Sequence, residues 1–183
     1  MDYKVTVIGA GVVGLAVCRE LSDRFDSVLI VDQEESFGRG ISSRNSEVVH
    51  SGLYYKQNSL KADLCIKGQR LLYNYCTEKS IPHNICGKLI VAQGAIGKRK
   101  LNELLANAER NGVQGGKLCN KDEISALEPH VKADYGLYFP RSGVVDSHQF
   151  MLNLEHDSKV NGVDTVYKVE VKKIKKIRVA MSY

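Results

Sequence analysis

A glycine-rich turn near the start of the chain constrains the fold more than any other feature. Its sequence is Gly9-Ala10-Gly11-Val12-Val13-Gly14. An apolar run, Lys4 to Ile8, precedes it, and a helical pattern follows to about Leu21 or Arg24. A second apolar run, Val28 to Val31, then ends at an aspartate. Strand, glycine turn, helix, strand and acid in this order predict the βαβ unit that binds dinucleotides.

Each part of this unit has a physical role. Gly9 permits a tight turn off the strand, Gly11 lets the backbone approach a pyrophosphate, and Gly14 lets the helix pack closely on the sheet. The helix N-terminus presents free N–H groups and a positive dipole end to the phosphates. Asp32 lies 23 positions after Gly9, where its carboxylate can accept hydrogen bonds from a ribose.

Length and composition fit an ordinary globular protein. The 183 residues, 43% hydrophobic and 26% charged, suffice for one sizeable core and a second small lobe. The net charge of +5 is concentrated partly in the segment 168–178. Because no aromatic residues are interleaved with its lysines, we interpret this segment as a solvated strand face and expect no nucleic-acid partner.

The five cysteines predict neither disulfides nor a metal site. Their number is odd and no pair has CxxC spacing, so we expect buried thiols in a reducing compartment and no metal ligands. The first apolar run lacks the small-residue cleavage pattern of a signal peptide. No run is long enough to span a bilayer. The expected location is therefore the cytoplasm.

The rest of the chain predicts further helices and strands around an insertion. The fold class is α/β, with a Rossmann-like nucleotide-binding sheet in a discontinuous domain of residues 1–83 and 143–183. Residues 84–142 begin an inserted second lobe. A short helix could begin at Ser43 or Asn45. The other predicted helices are Ser59–Lys79, Lys98–Arg110, Asn120–Leu127 and Ser147–Val160, and the other strands are Gly87–Gln93, Tyr135–Pro140 and Thr165–Val171.

Several segments of the sequence resemble one family of flavoenzymes. They are SSRNSEVVHSGLYY at 42–55, GKLIVA at 87–92, ISALEPHV at 124–131 and GLYFPRSGVVDSHQFMLNL at 136–154. The first is the most specific. The chain to about Ile174 is similar to the L-2-hydroxyglutarate oxidase/dehydrogenase group of the D-amino-acid-oxidase-like enzymes. The resemblance implies that the dinucleotide is FAD and that the Rossmann-like fold is an FAD/NAD(P)-binding fold.

The resemblance also implies which residues bind FAD. The glycines would cradle the pyrophosphate, Asp32 would hold the adenosine ribose, and the backbone of Val171 would read the adenine edge. Hydroxyl and guanidinium groups at 42–44 would lie alongside the pyrophosphate and flavin, unless Arg44 forms a surface ion pair. The full predicted set is Gly9, Ala10, Gly11, Val12, Val13, Gly14, Asp32, Gln33, Ser42, Ser43, Arg44, His50 and Val171.

By the same resemblance, the reaction is oxidation of L-2-hydroxyglutarate, or a similar 2-hydroxy acid, to the 2-oxo acid. Hydride passes to the flavin, which a quinone or oxygen reoxidises. Peripheral membrane association is a further expectation. No catalytic residue is assigned. His50 is a weak candidate beside the flavin ring, and a hydrogen-bonded structural histidine is the alternative. Tyr54 and Tyr55 line either the substrate side or the core.

Members of this group are considerably longer than this chain. We therefore expect an incomplete, truncated fold that corresponds to the N-terminal portion, with most of the substrate lobe missing and with exposed strand edges. Three hypotheses stay open: an FAD-dependent 2-hydroxy-acid oxidoreductase, a catalytically inactive truncated nucleotide-binding fragment, and an amine or amino-acid oxidase of the same superfamily.

Overall fold

A computed structural model describes residues 2–176. Contacts group these residues into two compact units. The terminal unit contains the residues up to Asn45 together with those from Ser147 onward, and the inserted unit is Ser46–Asp146. The predicted boundaries at 83/84 and 142/143 differ from these. Because a division by contacts does not say which residues bind cofactor or substrate, the domain assignment stays a prediction.

The described residues contain five α-helices, nine strands and one 3-10 turn. The helices are α1 (Val12–Ser22), α2 (Leu60–Glu78), α3 (Gly94–Arg110), α4 (Lys121–Leu127) and α5 (Ser147–Val160). The strands are β1 (Val5–Ile8), β2 (Val28–Val31), β3 (Val48–Val49), β4 (His83–Asn84), β5 (Lys88–Ala92), β6 (Lys117–Cys119), β7 (Tyr135–Phe139), β8 (Gly143–Val145) and β9 (Asp164–Val166). The 3-10 turn is Ile41–Ser43.

The terminal unit contains a parallel sheet in the order β1-β2-β9. Strand β2 lies in the middle, and three of its four residues are buried, as expected for a parallel strand covered on both faces. Helix α1 packs against α5 and buries Leu15 and Cys18, while α5 buries Met151 and Leu154. The chain leaves the sheet after β2 and returns to it at β9. The predicted α/β fold with an insertion is confirmed.

Two predictions for the terminal unit are wrong. Strand β9 ends at Val166 and does not reach Val171, because Lys168 has a φ of 60° and turns the chain out of the extended conformation. No helix begins at Ser43 or Asn45. The 3-10 turn ends at Ser43, and Glu47, with a φ of 57°, precedes the short strand β3.

The inserted unit contains two antiparallel three-stranded sheets. Their strand orders are β3-β8-β4 and β5-β7-β6. Helix α3 packs on the second sheet and contributes Leu101 and Ala108 to a core with Leu137 and Phe139 of β7. Strands β3, β4, β6 and β8 were not predicted, because two or three residues are too few to show an alternating pattern.

The predicted helices of the inserted unit are present with small shifts at their ends. The hydroxyl of Ser59 caps α2 and accepts a hydrogen bond from the amide of Ala62 at 3.2 Å. Helix α4 has a capping box formed by Asn120 and Glu123. Helix α3 begins at Gly94, earlier than the predicted Lys98.

Several further properties concern only the residues that the structure describes. All five cysteines are free thiols. Among residues 2–176, no helix combines the length and apolar character needed to cross a membrane. No cluster of three or more histidine, cysteine or acidic side chains in this range could hold a metal ion. The basic segment 168–178 continues past residue 176, so its last two residues lie outside the described part.

Candidate functional site

The glycine turn of the terminal unit lies at the carboxyl end of β1, next to β2. The amide of Gly9 donates to the carbonyl oxygen of Val31 at 2.8 Å, which ties the turn to the end of β2. Gly9 has a φ of 100°, and a Cβ built there meets nothing within 4 Å. Glycine is therefore required for the backbone conformation, and open space lies in front of this backbone.

Helix α1 approaches this turn as closely as a backbone can. A Cβ on Gly14 would lie 1.9 Å from the carbonyl oxygen of Gly9, so no side chain fits at this position. A Cβ on Gly11 would lie 3.0 Å from the hydroxyl oxygen of Ser42. The same hydroxyl accepts a hydrogen bond from the amide of Val12 at 3.0 Å. Ser42 is therefore in contact with the turn itself.

The N-terminus of α1 is electrostatically suited to an anion. The first N–H groups of a helix have no partner within the helix, and Ser42 takes only that of Val12. No acidic residue lies in the first turn of α1, so the positive end of the helix dipole is not neutralised there. A phosphate group is the expected ligand of such a helix end.

Asp32 is fixed by two backbone amides. One carboxylate oxygen accepts from Ala10 at 2.6 Å, and the other accepts from Glu34 at 2.8 Å. Two ionised carboxylate oxygens have about four acceptor positions between them. Asp32 therefore has capacity left to accept hydrogen bonds from the hydroxyls of a ribose.

A cavity of about 280 Å³ lies in front of the glycine turn and Asp32. It is lined by four of the predicted site residues: Gly9, Asp32, Gln33 and Val171. Val169 and Glu170, in the irregular segment after β9, complete the wall on the side of Val171. Val171 therefore lies beside this cavity although it is not in a strand.

The other predicted residues are less closely grouped. The hydroxyl of Ser43 donates to the carbonyl oxygen of Gly40 at 3.0 Å, and Arg44 is exposed at the end of the 3-10 turn. His50 belongs to the inserted unit. The structure thus groups the turn, Ser42, Asp32, Gln33 and Val171 within the terminal unit.

His50 lies among cationic side chains of the inserted unit. Desolvation by the surrounding protein lowers its pKa, and the ammonium groups of Lys88 and Lys61 lower the pKa further. The Nζ of Lys88 lies 5.1 Å from the ring centroid of Tyr54, and that of Lys61 lies 4.6 Å from the ring of Tyr55. Each tyrosine ring therefore lies next to an ammonium group, and Tyr54 is exposed.

The segment Gly52–Tyr55 is held by two asparagines that sequence reasoning missed. The side-chain amide of Asn107 donates to the carbonyl oxygens of Leu53 and Tyr55 at 2.9 and 3.0 Å. That of Asn111 donates to those of Gly52 and Tyr55 at 3.2 and 2.8 Å. An Asn–Asn pair one helical turn apart at the end of α3 is the only local signal, and it does not identify its distant partners.

A second and larger cavity, of about 540 Å³, lies within the inserted unit. Its charged lining residues are Lys67, Arg70 and Arg141, and it has no acidic lining residue. Lys67 pairs with Asp63 at 2.9 Å. The phenol of Tyr73 donates to the carbonyl oxygen of Arg141 at 3.1 Å and so holds the turn between β7 and β8 against α2. We call this the basic cavity.

The terminal unit fits a dinucleotide on three structural grounds. Its glycine turn leaves open backbone where a side chain would otherwise stand. Its adjacent helix N-terminus carries no acid. Its anchored aspartate lies on the wall of a cavity that adjoins both β1 and β2. Ligands of open α/β sheets bind at the carboxyl ends of the strands, which is where these features meet.

Comparison with known proteins agrees with this geometry. A family model described as FAD dependent oxidoreductase matches residues 4–181. The chain is 51% identical, over 83% of its length, to the mitochondrial L-2-hydroxyglutarate dehydrogenase of Arabidopsis thaliana. It is 37% identical, over 94% of its length, to the human enzyme of the same name.

Solved structures of similar proteins share the fold. The chain is similar to the FAD-bound L-α-glycerophosphate oxidase of Mycoplasma pneumoniae, with a TM-score of 0.87 and 26% identity over 94% of this chain and 46% of that one. It is also similar to glycine oxidase from Geobacillus kaustophilus, with a TM-score of 0.83 and 21% identity over 94% of this chain and 48% of that one.

The matches cover only part of each similar protein. The chain spans 32% of the length of the Arabidopsis enzyme and 38% of the human one. The part that it matches is their N-terminal portion.

Proposed function

Since the chain belongs to the FAD-dependent oxidoreductase family, we propose that its terminal unit binds the ADP part of FAD. The observation that carries this proposal is the hydrogen bond from the amide of Ala10 to the carboxylate of Asp32, which holds this carboxylate next to the glycine turn. Both the acceptor for a ribose and the amides for a diphosphate are therefore in place before the cofactor arrives, so little ordering free energy opposes binding.

Each predicted contact has a definite role in this proposal. The turn from Gly9 to Gly14 and the first turn of α1 would hold the diphosphate, while Asp32 and Gln33 would hold the ribose. Val171 would lie against the adenine. Arg44 would supply a guanidinium to the diphosphate. When bound, the flavin accepts a hydride from the substrate carbon.

For the whole protein we propose oxidation of L-2-hydroxyglutarate, or a similar 2-hydroxy acid, to the 2-oxo acid. The names of the curated relatives support this substrate. A dicarboxylate requires cationic partners, and the inserted unit provides Lys61 and Lys88 beside His50. The lowered pKa of His50 favours the neutral imidazole at pH 7, which is the form that can accept a hydroxyl proton.

The electron acceptor and the cellular location are further proposals. We propose that a quinone or oxygen reoxidises the flavin, with the protein in the cytoplasm and peripherally associated with a membrane if the acceptor is a quinone. Absorbance of the reduced enzyme after addition of oxygen or of a soluble quinone distinguishes the two acceptors. Reoxidation by neither would contradict this proposal.

The test of the cofactor proposal is a titration of the purified chain with FAD, followed by flavin fluorescence. We expect saturable binding that Asp32→Asn weakens by about tenfold, because an amide nitrogen would then face a backbone N–H. Asp26→Asn, at an exposed aspartate that pairs with Lys4, is the control and should bind like the wild type. A chain that binds no FAD would contradict the proposal and favour an inactive fragment.

The substrate proposal has a separate test. With FAD bound, bleaching of the flavin absorbance on anaerobic addition of L-2-hydroxyglutarate would support the 2-hydroxy-acid oxidoreductase. Bleaching by glycine or other amino acids, but not by hydroxy acids, would instead select the amine-oxidase hypothesis. FAD binding without bleaching by either class would show that this chain alone is inactive.

A further inference from the structure

The segment that follows β9 has an unusual backbone and lies beside the cavity in front of the glycine turn and Asp32. We call it the FAD cavity, because the proposed cofactor would bind there. Residues Val169, Glu170 and Val171 of the segment line that cavity. The amide of Lys168 donates to the carbonyl oxygen of Glu34 at 2.9 Å, and that of Val169 donates to the carbonyl oxygen of Asp32 at 3.0 Å. These two bonds fix the segment to the chain immediately after β2, where the ribose-binding carboxylate lies.

This segment is strained. Lys168 has a φ of 60°, in the left-handed region that residues with a side chain rarely adopt. Such a conformation persists where the surrounding structure determines it. The side chain of the preceding residue, Tyr167, points into the protein. Its contacts are the ones that can fix the backbone of the segment.

The phenol of Tyr167 joins the segment after β9 to helix α5. It donates a hydrogen bond to Oε1 of Glu155 on α5. The side chain of Glu155 is only 9% exposed, and Lys159 pairs with the same oxygen at 3.0 Å. The buried carboxylate of Glu155 thus has a hydrogen-bond donor, Tyr167, and a cation, Lys159, as partners, as a buried charge requires.

The phenol of Tyr167 keeps its proton at neutral pH and can therefore donate to Glu155. Desolvation raises the pKa of Tyr167 most strongly, and the hydrogen bond to Glu155 and the charges of Glu155 and Asp32 raise it further. The phenol therefore remains a donor. Removal of its hydroxyl would leave a buried carboxylate oxygen with Lys159 as its remaining partner and would release the segment that begins at Tyr167.

We propose that Tyr167 and Glu155 form a latch that holds residues 168–171 against the end of β2, in the position that binds the adenosine half of FAD. The two side chains are positioning residues, since they act through the backbone of the segment. The proposal rests on the proposed cofactor and adds to it the element that shapes the adenosine side of the cavity before FAD binds.

The test compares Tyr167→Phe with Tyr3→Phe. Tyr3 also donates from its phenol to a carboxylate, that of Asp164 at 2.7 Å, and Asp164 begins the same strand that precedes Tyr167. Both variants remove one hydroxyl and keep the ring. For each, the dissociation constant of FAD is measured by flavin fluorescence, and hydrogen exchange of the Lys168 and Val169 amides is measured without FAD.

We expect Tyr167→Phe to raise the dissociation constant about tenfold and to accelerate exchange at both amides, while Tyr3→Phe changes neither by more than about twofold. Glu155→Gln, which keeps an acceptor oxygen, should give an intermediate effect. Unchanged exchange in folded Tyr167→Phe would overturn the latch. If the wild type binds no FAD, the cofactor proposal fails, and exchange alone decides whether Tyr167 holds the segment.

Discussion

Side chains that hydrogen-bond to the main chain hold two loops of this protein, the glycine turn of the terminal unit and the segment Gly52–Tyr55 of the inserted unit. In the first loop the side chain accepts these hydrogen bonds, and in the second the side chains donate them. Asp32 accepts hydrogen bonds from two backbone amides, whereas Asn107 and Asn111 donate to backbone carbonyls. The first arrangement uses only part of the acceptor capacity of a carboxylate. The second uses the amide donors of both asparagines.

This difference separates a binding loop from a structural one. A carboxylate that already bonds to the turn can still receive the hydroxyls of a ligand, and the helix N–H groups beside it remain available for an anion. The asparagines instead satisfy the carbonyls of a segment that contains the buried residues Gly52 and Leu53. We therefore expect substitutions at the first loop to affect FAD binding and those at the second to affect stability alone.

The largest effect is expected from Gly14→Ala. Its Cβ would lie 1.9 Å from the carbonyl oxygen of Gly9, so helix α1 must move away from the sheet, at a cost of about 3 kcal/mol or more. The measurement is the midpoint of urea unfolding, together with FAD affinity. A midpoint within experimental error of the wild type would show that the close approach of helix and turn is not required.

The matched control is Gly68→Ala in α2 of the inserted unit. A Cβ on Gly68 meets nothing within 4 Å, and the residue lies in the interior of a helix. Because alanine favours the helix over glycine, the midpoint should rise by the equivalent of about 0.5 to 1 kcal/mol. Two glycine-to-alanine changes in helices thus have opposite expected signs.

The second prediction concerns Asn111→Asp. The Oδ1 atom of Asn111 is buried without a hydrogen-bond partner among the described residues, and its amide nitrogen faces the carbonyls of Gly52 and Tyr55. A carboxylate there would be buried opposite acceptors, which lowers the free energy of unfolding by about 2 to 3 kcal/mol at pH 7.

The stability of Asn111→Asp should depend on pH, because its new carboxylate, unlike that of Asp32, would face hydrogen-bond acceptors. Burial and the facing carbonyls should raise the pKa of the new carboxyl, so its penalty should diminish as the pH falls and the group becomes protonated. FAD affinity of the folded variant should equal that of the wild type. A loss of FAD affinity without a loss of stability would break the proposed division between a binding loop and a structural loop.

Whether the sequence predicts a loop-holding side chain depends on how far along the chain its hydrogen-bond partner lies. The glycine turn and Asp32 were predicted because their interaction, between residues 22 positions apart, falls within one βαβ unit of regular geometry. Asn107 and Asn111 bond to residues 52 to 59 positions away, and no local pattern specifies such a pairing. The predicted strand to Val171 was wrong because an alternating pattern does not reveal the turn at Lys168.

The third prediction is an alkaline loss of stability in the inserted unit. Burial raises the pKa of the Cys76 thiol from 9.0 to about 11. The unfolded chain therefore loses this proton before the folded chain does, and stability is complete below pH 9 and decreases as the pH rises to about 11. Two pKa units correspond to about 2 to 3 kcal/mol.

Urea unfolding of Cys76→Ala at several pH values tests this prediction. At pH 7 the variant should be about 1 kcal/mol less stable than the wild type, because a small buried volume is lost, but it should lose less stability between pH 9 and 11. Cys86→Ala, which removes an exposed thiol, is the control and should follow the wild type. An equal alkaline decrease in both variants would assign the effect to other groups, with Tyr167 as the first candidate, since its raised pKa acts in the same direction.

The smallest effect is expected at the basic cavity, which contrasts with the FAD cavity in charge. Lys67, Arg70 and Arg141 line it without an acidic residue, and within residues 2–176 only Lys67 of these three forms an ion pair. Like charges around one cavity repel each other, so Arg141→Gln should raise the free energy of unfolding by a few tenths of a kcal/mol at low salt.

Screening distinguishes this repulsion from a packing effect. At about 1 M salt, where the Debye length is about 3 Å, the wild type and Arg141→Gln should have the same unfolding midpoint. Arg99→Gln, on α3, removes an exposed arginine that pairs with Glu103 at 3.9 Å, and it should not increase stability at any salt concentration. If Arg141→Gln is destabilising at low salt, the guanidinium contributes packing or a hydrogen bond that outweighs repulsion, and the two cavities then differ in more than their charge.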